Sequence, residues 1–149
     1  MDIAEYIAKS VHESYWEKDI NCACTTLTVL ADLLGITLHE QVLNAGTGMH
    51  GAGGFRAQCG LVEGGLMMIG VYFSAEGKGA EEIADACYRY GESFQKRFAS
   101  LLCRDLRPGG FREDDPPHRC EELTQRAIRF TYQFLVEWKK ELQSNTDLK

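Results

Sequence analysis

The chain has 149 residues, enough for one domain with its own apolar core. Hydrophobic residues make up 44% and charged residues 26%, a globular rather than disordered balance. The net charge of -6, from 22 acidic and 16 basic residues, argues against a duplex nucleic-acid binder, and no apolar run is long enough to span a bilayer.

Ile3, Tyr6, Ile7, Val11 and Tyr15 follow a helical stripe, so an amphipathic helix is predicted over about the first 16 residues. Met1-Asp2-Ile3-Ala4-Glu5 has neither the basic nor the apolar region of an export signal, which predicts a cytoplasmic protein. Asn21 is a good N-cap for a second helix ending at Leu34, with Gly35 as its stop. That helix is apolar nearly all round, with a narrow polar stripe of Thr25, Thr28 and Asp32. A short helical piece from Leu38 to Asn44 leads into the glycine-dense loop Ala45 to Gly54.

Cys59 to Phe73 reads as a buried helix with small residues for close approach, with a strand as the alternative for its end. A long helix is predicted from Ala80 to Leu106, stopped by Pro108-Gly109-Gly110. After the polar loop Arg112 to Pro117, Asp115 before Pro116-Pro117 marks the start of a last helix ending near Leu142. Its core face is Cys120, Leu123, Ala127, Phe130 and Phe134, and Ser144 to Lys149 is expected to fray. The prediction is a single all-α domain over 1–149, a bundle of four or five main helices with a glycine-rich loop.

Six cysteines in a chain without an export signal point to metal ligation, redox chemistry or inert burial rather than a disulfide framework. Cys22 and Cys24, two apart, point about 200° apart on a helix and cannot share a site. Cys87 and Cys103 would lie about 24 Å apart on one continuous helix, with Gly91 the only obvious weak point between them. At most four independent thiol positions remain: one of Cys22 and Cys24, Cys59, one of Cys87 and Cys103, and Cys120. Four thiolates suit an iron–sulfur cluster or tetrahedral zinc, and equally two disulfides. Cys87 lies in the apolar stripe Ile83, Cys87, Tyr90, Phe94, Phe98 and reads as core. Cys22 and Cys59 each open a helix, where the positive end is expected to lower a thiol pKa.

These residues carry a likeness. Asn21-Cys22, the loop Gly46 to Gly54, Cys59-Gly60-Leu61-Val62-Glu63-Gly64, the stretch from Phe98 to Cys103-Arg104-Asp105-Leu106, and Cys120-Glu121-Glu122-Leu123 together resemble the redox-active family labelled C_GCAxxG_C_C after its cysteines. The likeness covers most of the chain; Leu61 stands where the pattern has alanine. It implies that Cys22, Cys59, Cys103 and Cys120 form the catalytic or metal-holding set, with Cys24 and Cys87 as extras. A redox role follows from the resemblance, by an iron–sulfur cluster or by thiol–disulfide exchange. The alternatives are a structural zinc site, or a cofactor-free helical interaction domain.

Backbone N–H groups of the glycine loop are expected to face a thiolate or a cofactor, which singles out Gly53, Gly54 and Gly60. Gly46 to Gly51 matches a dinucleotide fingerprint by letter, but no strand is predicted before it. With no nicotinamide or flavin signature, a redox partner protein is implied, and a homodimer is plausible from the apolar outer helices. His50 and His118 are candidate ligands or proton donors, whereas His12 and His39 read as surface. Glu63 either faces solvent or accepts a proton near Cys59. Met67-Met68 reads as core, and Lys139-Lys140 as a solvated face.

Overall fold

Local capping chemistry starts the fold. The Asp2 carboxylate accepts from the Glu5 N–H at 2.8 Å while the Glu5 side chain reaches back to the Asp2 N–H, and this capping box opens α1 (Ile3–His12). The structure is a computed structural model and describes residues 1–147. α1 widens into a π-helical turn, Glu13–Glu17, that turns Tyr15 into the core and leaves Trp16 half exposed. α2 (Cys22–Leu34) begins and ends as predicted: Asn21 Oδ1 accepts from the Cys24 N–H at 2.8 Å, and Gly35 closes the helix at φ 68°. Its expected polar stripe is narrower than predicted. Thr25 is fully buried, with its hydroxyl turned back to the Ile20 carbonyl at 3.4 Å, so burial here follows packing rather than side-chain type.

α3 (Glu40–Ala45) and a single turn α4 (Gly51–Gly54) follow. Gly51, Ala52, Gly53 and Gly54 all have positive φ, so α4 winds left-handed, a conformation that glycine adopts without steric cost. α5 (Gly60–Ala75) is helical to its end, and the strand alternative is not realised. It packs most extensively on α2. A Cβ at Gly64 would sit 2.8 Å from the Ala23 carbonyl and from Thr26 Cβ, so the two backbones approach closer than any larger residue permits.

α6 (Ala80–Phe98) is shorter than the predicted Ala80–Leu106 helix. Ala99 takes φ 72° and reverses the chain, and the Ser100 hydroxyl accepts from the Leu102 N–H at 3.0 Å while donating to Asp105 at 2.7 Å. The one-turn helix α7 (Cys103–Leu106) follows, so the break lies at Ala99 and not at Gly91. The final helix α8 (Glu121–Asp147) also starts later than predicted. Asp115 does not open it; its carboxylate instead accepts from Arg107 at 3.1 Å and from the Arg112 N–H at 2.9 Å, closing the preceding loop. α8 continues past Leu142 to Asp147, so residues 144–147 of the expected tail are helical, and 148–149 lie outside the described residues.

Five of the helices have ten residues or more, and no strand occurs among the described residues. The core joins Leu27 and Leu30 of α2, Met68, Ile69 and Phe73 of α5, Tyr90 and Phe94 of α6, and Ile128 and Leu135 of α8. On α8 the buried face holds Leu123 and Ala127 as predicted, with Phe130 and Phe134 at its edge and Thr124 and Thr131 inside it. Two buried hydroxyl pairs tie the layers: Tyr15 to Thr124 at 2.6 Å and Tyr90 to Thr131 at 2.8 Å. Met68 is fully buried, and Lys139 leaves the solvated face to meet Glu76 at 3.0 Å.

Candidate functional site

Four helix starts meet at one end of the bundle. Cys22 is the first residue of α2, Cys59 caps α5, Cys103 is the first residue of α7, and Cys120 immediately precedes α8. All four line a single open cavity of about 730 Å³. Cys24 and Cys87 do not. The Cys24 thiol donates to the Leu43 carbonyl at 3.3 Å, and Cys87 packs half-buried at the core edge of α6. All six thiols are free.

Backbone geometry explains the convergence. Gly60 lets α5 begin directly against Cys22: a Cβ there would collide with the Cys22 sulfur. Cys103 arrives through a short antiparallel pairing of 56–59 with 101–104. Cys59 N–H donates to the Leu101 carbonyl at 2.8 Å, and Cys103 N–H to the Ala57 carbonyl at 2.6 Å. The continuous-helix argument that left Cys87 and Cys103 as alternatives therefore does not apply, because the chain breaks at Ala99. Asn21 anchors the glycine loop as well as α2, since its amide donates to the carbonyls of Gly46 at 3.1 Å and Thr47 at 2.7 Å.

The thiols fall into two electrostatic classes. Burial pushes Cys22 and Cys59 up to about 12, against the opposing pull of nearby backbone N–H groups. The lowering expected from their helix N-termini is thus outweighed by desolvation. Cys103 and Cys120 are also pushed up by burial, but guanidinium groups pull each back: Arg107 and Arg56 on Cys103, Arg107 and Arg119 on Cys120.

Of the expected backbone positions, Gly54 lines the cavity and Gly60 touches Cys22, whereas Gly53 lies at the outer side of α4 near Phe55. Gly51 was not anticipated. A Cβ there would sit 3.3 Å from the Cys103 sulfur. His50 and His118 both line the cavity, and His118 stacks on Tyr15 with ring centroids 5.2 Å apart. His39 precedes α3 on the surface, while exposed His12 bonds to Glu121 at 2.8 Å. Glu63 accepts from the Gln58 amide at 3.0 Å and lies outside the cavity lining.

Sequence reasoning missed the cationic half of the site. Arg56, Arg107 and Arg119 line the cavity against one carboxylate, Asp19. The available signal was the clustering of Arg104, Arg107, Arg112 and Arg119 within a chain of net negative charge. Among the described residues, no three His, Cys, Asp or Glu side chains stand close enough together to hold a single metal ion.

Fold and cavity together define a helical protein that gathers four cysteines at helix starts around a cation-lined opening. The chain belongs to the C_GCAxxG_C_C family, whose profile, described as "Putative redox-active protein (C_GCAxxG_C_C)", matches residues 20–134. No curated protein and no solved structure matches the chain. Among the described residues no helix is long and apolar enough to cross a membrane.

Proposed function

We propose that this protein is an electron-transfer module that holds an iron–sulfur cluster on Cys22, Cys59, Cys103 and Cys120. The observation that carries this reading is the delivery of four thiols, from four separate helix starts, into one cavity of about 730 Å³. The donor set suits the group: four thiolates are the usual ligands of such clusters. The surroundings fit as well, because the Arg107 and Arg119 guanidiniums offset the charge that ionised cysteines bring. A cluster bound there supplies one-electron exchange.

This chain's own residues hold and shield the site. Gly60 and Gly51 keep the backbone close to Cys22 and Cys103, and the Tyr15–His118 stack walls one side. No strand precedes Gly46–Gly51, so the dinucleotide fingerprint lacks its βαβ setting, and on this reading electrons come from a partner protein. Thiol–disulfide exchange is the second reading. It is favoured by the guanidiniums beside Cys103 and Cys120, which makes that pair, rather than Cys22 or Cys59, the better source of thiolate.

Iron, sulfide and zinc analysis with a visible spectrum on anaerobically purified protein tests the proposal. Iron with sulfide, absorbing near about 400 nm, is the expected result. Cys→Ser at 22, 59, 103 or 120 lowers the iron content, while Cys24→Ser and Cys87→Ser leave it. Colourless zinc-bound protein overturns the cluster reading in favour of a structural site. Metal-free protein whose thiol count falls on mild oxidation overturns it in favour of disulfide exchange.

A further inference from the structure

Three guanidiniums, those of Arg56, Arg107 and Arg119, face the cavity against one carboxylate, Asp19. Arg56 forms no ion pair among the described residues; its guanidinium lies 3.9 Å from the centre of the Phe111 ring. Arg107 approaches the same ring at 4.6 Å, so two like charges are held on one aromatic side chain. Arg107 pairs with Asp115 at 3.1 Å and donates from Nε to the Gly110 carbonyl at 3.0 Å, and among the described residues Arg119 donates only to the Pro108 carbonyl, at 3.2 Å from both Nε and Nη2. Gathering like charges is unfavourable unless something negative lies among them. In a chain of net charge -6, their collection at one opening also makes a local attractive field for anions. The volume of about 730 Å³ falls within the range of small-molecule sites. Planar guanidiniums match two-oxygen anions better than they match sulfur, because each presents a fork of donors.

We propose that the cavity binds a small oxyanion or carboxylate beside the cysteines, held by Arg56, Arg107 and Arg119. The anion is a substrate or effector of the site rather than a ligand of the cysteines, and the inference rests on the cavity being the functional site proposed above. Arg56 stands at the rim and is exposed, so it meets the anion first. Arg107 connects the two halves of the cavity, since it also neighbours Cys103 and Cys120.

Isothermal titration of the full chain, purified anaerobically and held at constant ionic strength, tests this with inorganic phosphate and with malonate. The expected result is saturable binding of one anion per chain. Arg56→Gln should weaken it about tenfold, the loss of one charge-assisted contact. Arg56→Lys should recover part of that loss. Arg104→Gln, which changes an exposed arginine outside the cavity lining, should leave affinity unchanged. Binding of phosphate alone or malonate alone assigns the class of anion, and either supports the site. Absence of saturable binding for both, or binding that Arg56→Gln leaves intact, overturns the proposal. Iron content measured on the same samples separates the outcomes: retained iron without anion binding refutes the anion site alone. Anion binding by a chain without iron refutes the cluster reading alone.

Discussion

Replacing Gly60 with alanine tests the contact on which the cysteine site is built. The added methyl overlaps the Cys22 sulfur and lies 3.0 Å from the Met49 carbonyl and 3.2 Å from the Ala23 nitrogen. Two of these neighbours are backbone and cannot swing aside, so Cys22 must leave its position or α5 must move off α2. Overpacking against fixed backbone atoms falls at the upper end of the usual cost, about 2–3 kcal/mol, and the better helix propensity of alanine returns about 1, for a net loss of about 1–2 kcal/mol. For a chain of 149 residues, with about 2–4 °C per kcal/mol, Tm should fall by roughly 2–8 °C. Gly70→Ala is the matched control in the same helix, where no atom lies within 4 Å of the new methyl. It should raise Tm by about 2–4 °C through propensity alone. Thermal unfolding followed by circular dichroism, with iron content measured in parallel, reads both effects. If Gly60→Ala melts at or above the parent, or Gly70→Ala falls as far as Gly60→Ala, the close approach of α2 and α5 is refuted.

Metal-free, reduced protein should lose stability as pH rises from about 9 towards 12. Cys22 and Cys59 ionise in the unfolded chain near 9 but stay protonated in the fold up to about 12, so the unfolded state binds fewer protons across that window. The slope in urea titrations should approach about 1.4 kcal/mol per pH unit for each thiol, and Cys22→Ser with Cys59→Ser should remove their share, leaving that of the other raised thiols and of Tyr15 and Tyr90. Asn21→Ala should cost about 1–2 kcal/mol as α2 loses its cap, and hydrogen exchange at residues 46–54 should speed up as the loop loses its anchor. Asn21→Asp should restore the cap without restoring slow exchange, because a carboxylate cannot donate to the Gly46 and Thr47 carbonyls. A double-mutant cycle of Tyr15→Phe and Thr124→Val should give a coupling of about 1 kcal/mol, and additive losses would show that the 2.6 Å hydroxyl pair contributes nothing.

The parts of the fold governed by neighbouring residues were legible in the sequence. α2 is the clearest case, because the Asn21 cap and the Gly35 stop act within one turn of themselves. The break after Phe98 was not legible. Ala99 is a good helix former, and its left-handed turn is followed by pairing between 101–104 and 56–59, a contact more than forty residues away in the chain that no local pattern displays. For that reason helical periodicity left Cys87 and Cys103 as alternatives, and only the family spacing pointed to Cys103. The thiol pKa values misled in a related way. A helix N-terminus is visible in sequence, whereas the depth at which α2 and α5 bury Cys22 and Cys59 depends on Gly60 and Gly64 meeting a partner helix. The arginines were passed over because each, taken singly, reads as surface charge.

The route by which the cysteines reach the cavity carries a topological consequence. They divide the chain into the segments 22–59, 59–103 and 103–120, so any occupant that grips all four closes three loops in series. Loop closure depends only logarithmically on length, and doubling a flexible segment adds about 0.6 kcal/mol. The stretch 107–120 contains no regular helix and is bounded at both ends by residues beside the cavity. It is the connection where chain length can change with least disturbance to the helices. Its composition, carrying Arg107, Phe111 and Arg119 into the opening, can therefore vary what the cavity admits while the helix starts keep the cysteines in place.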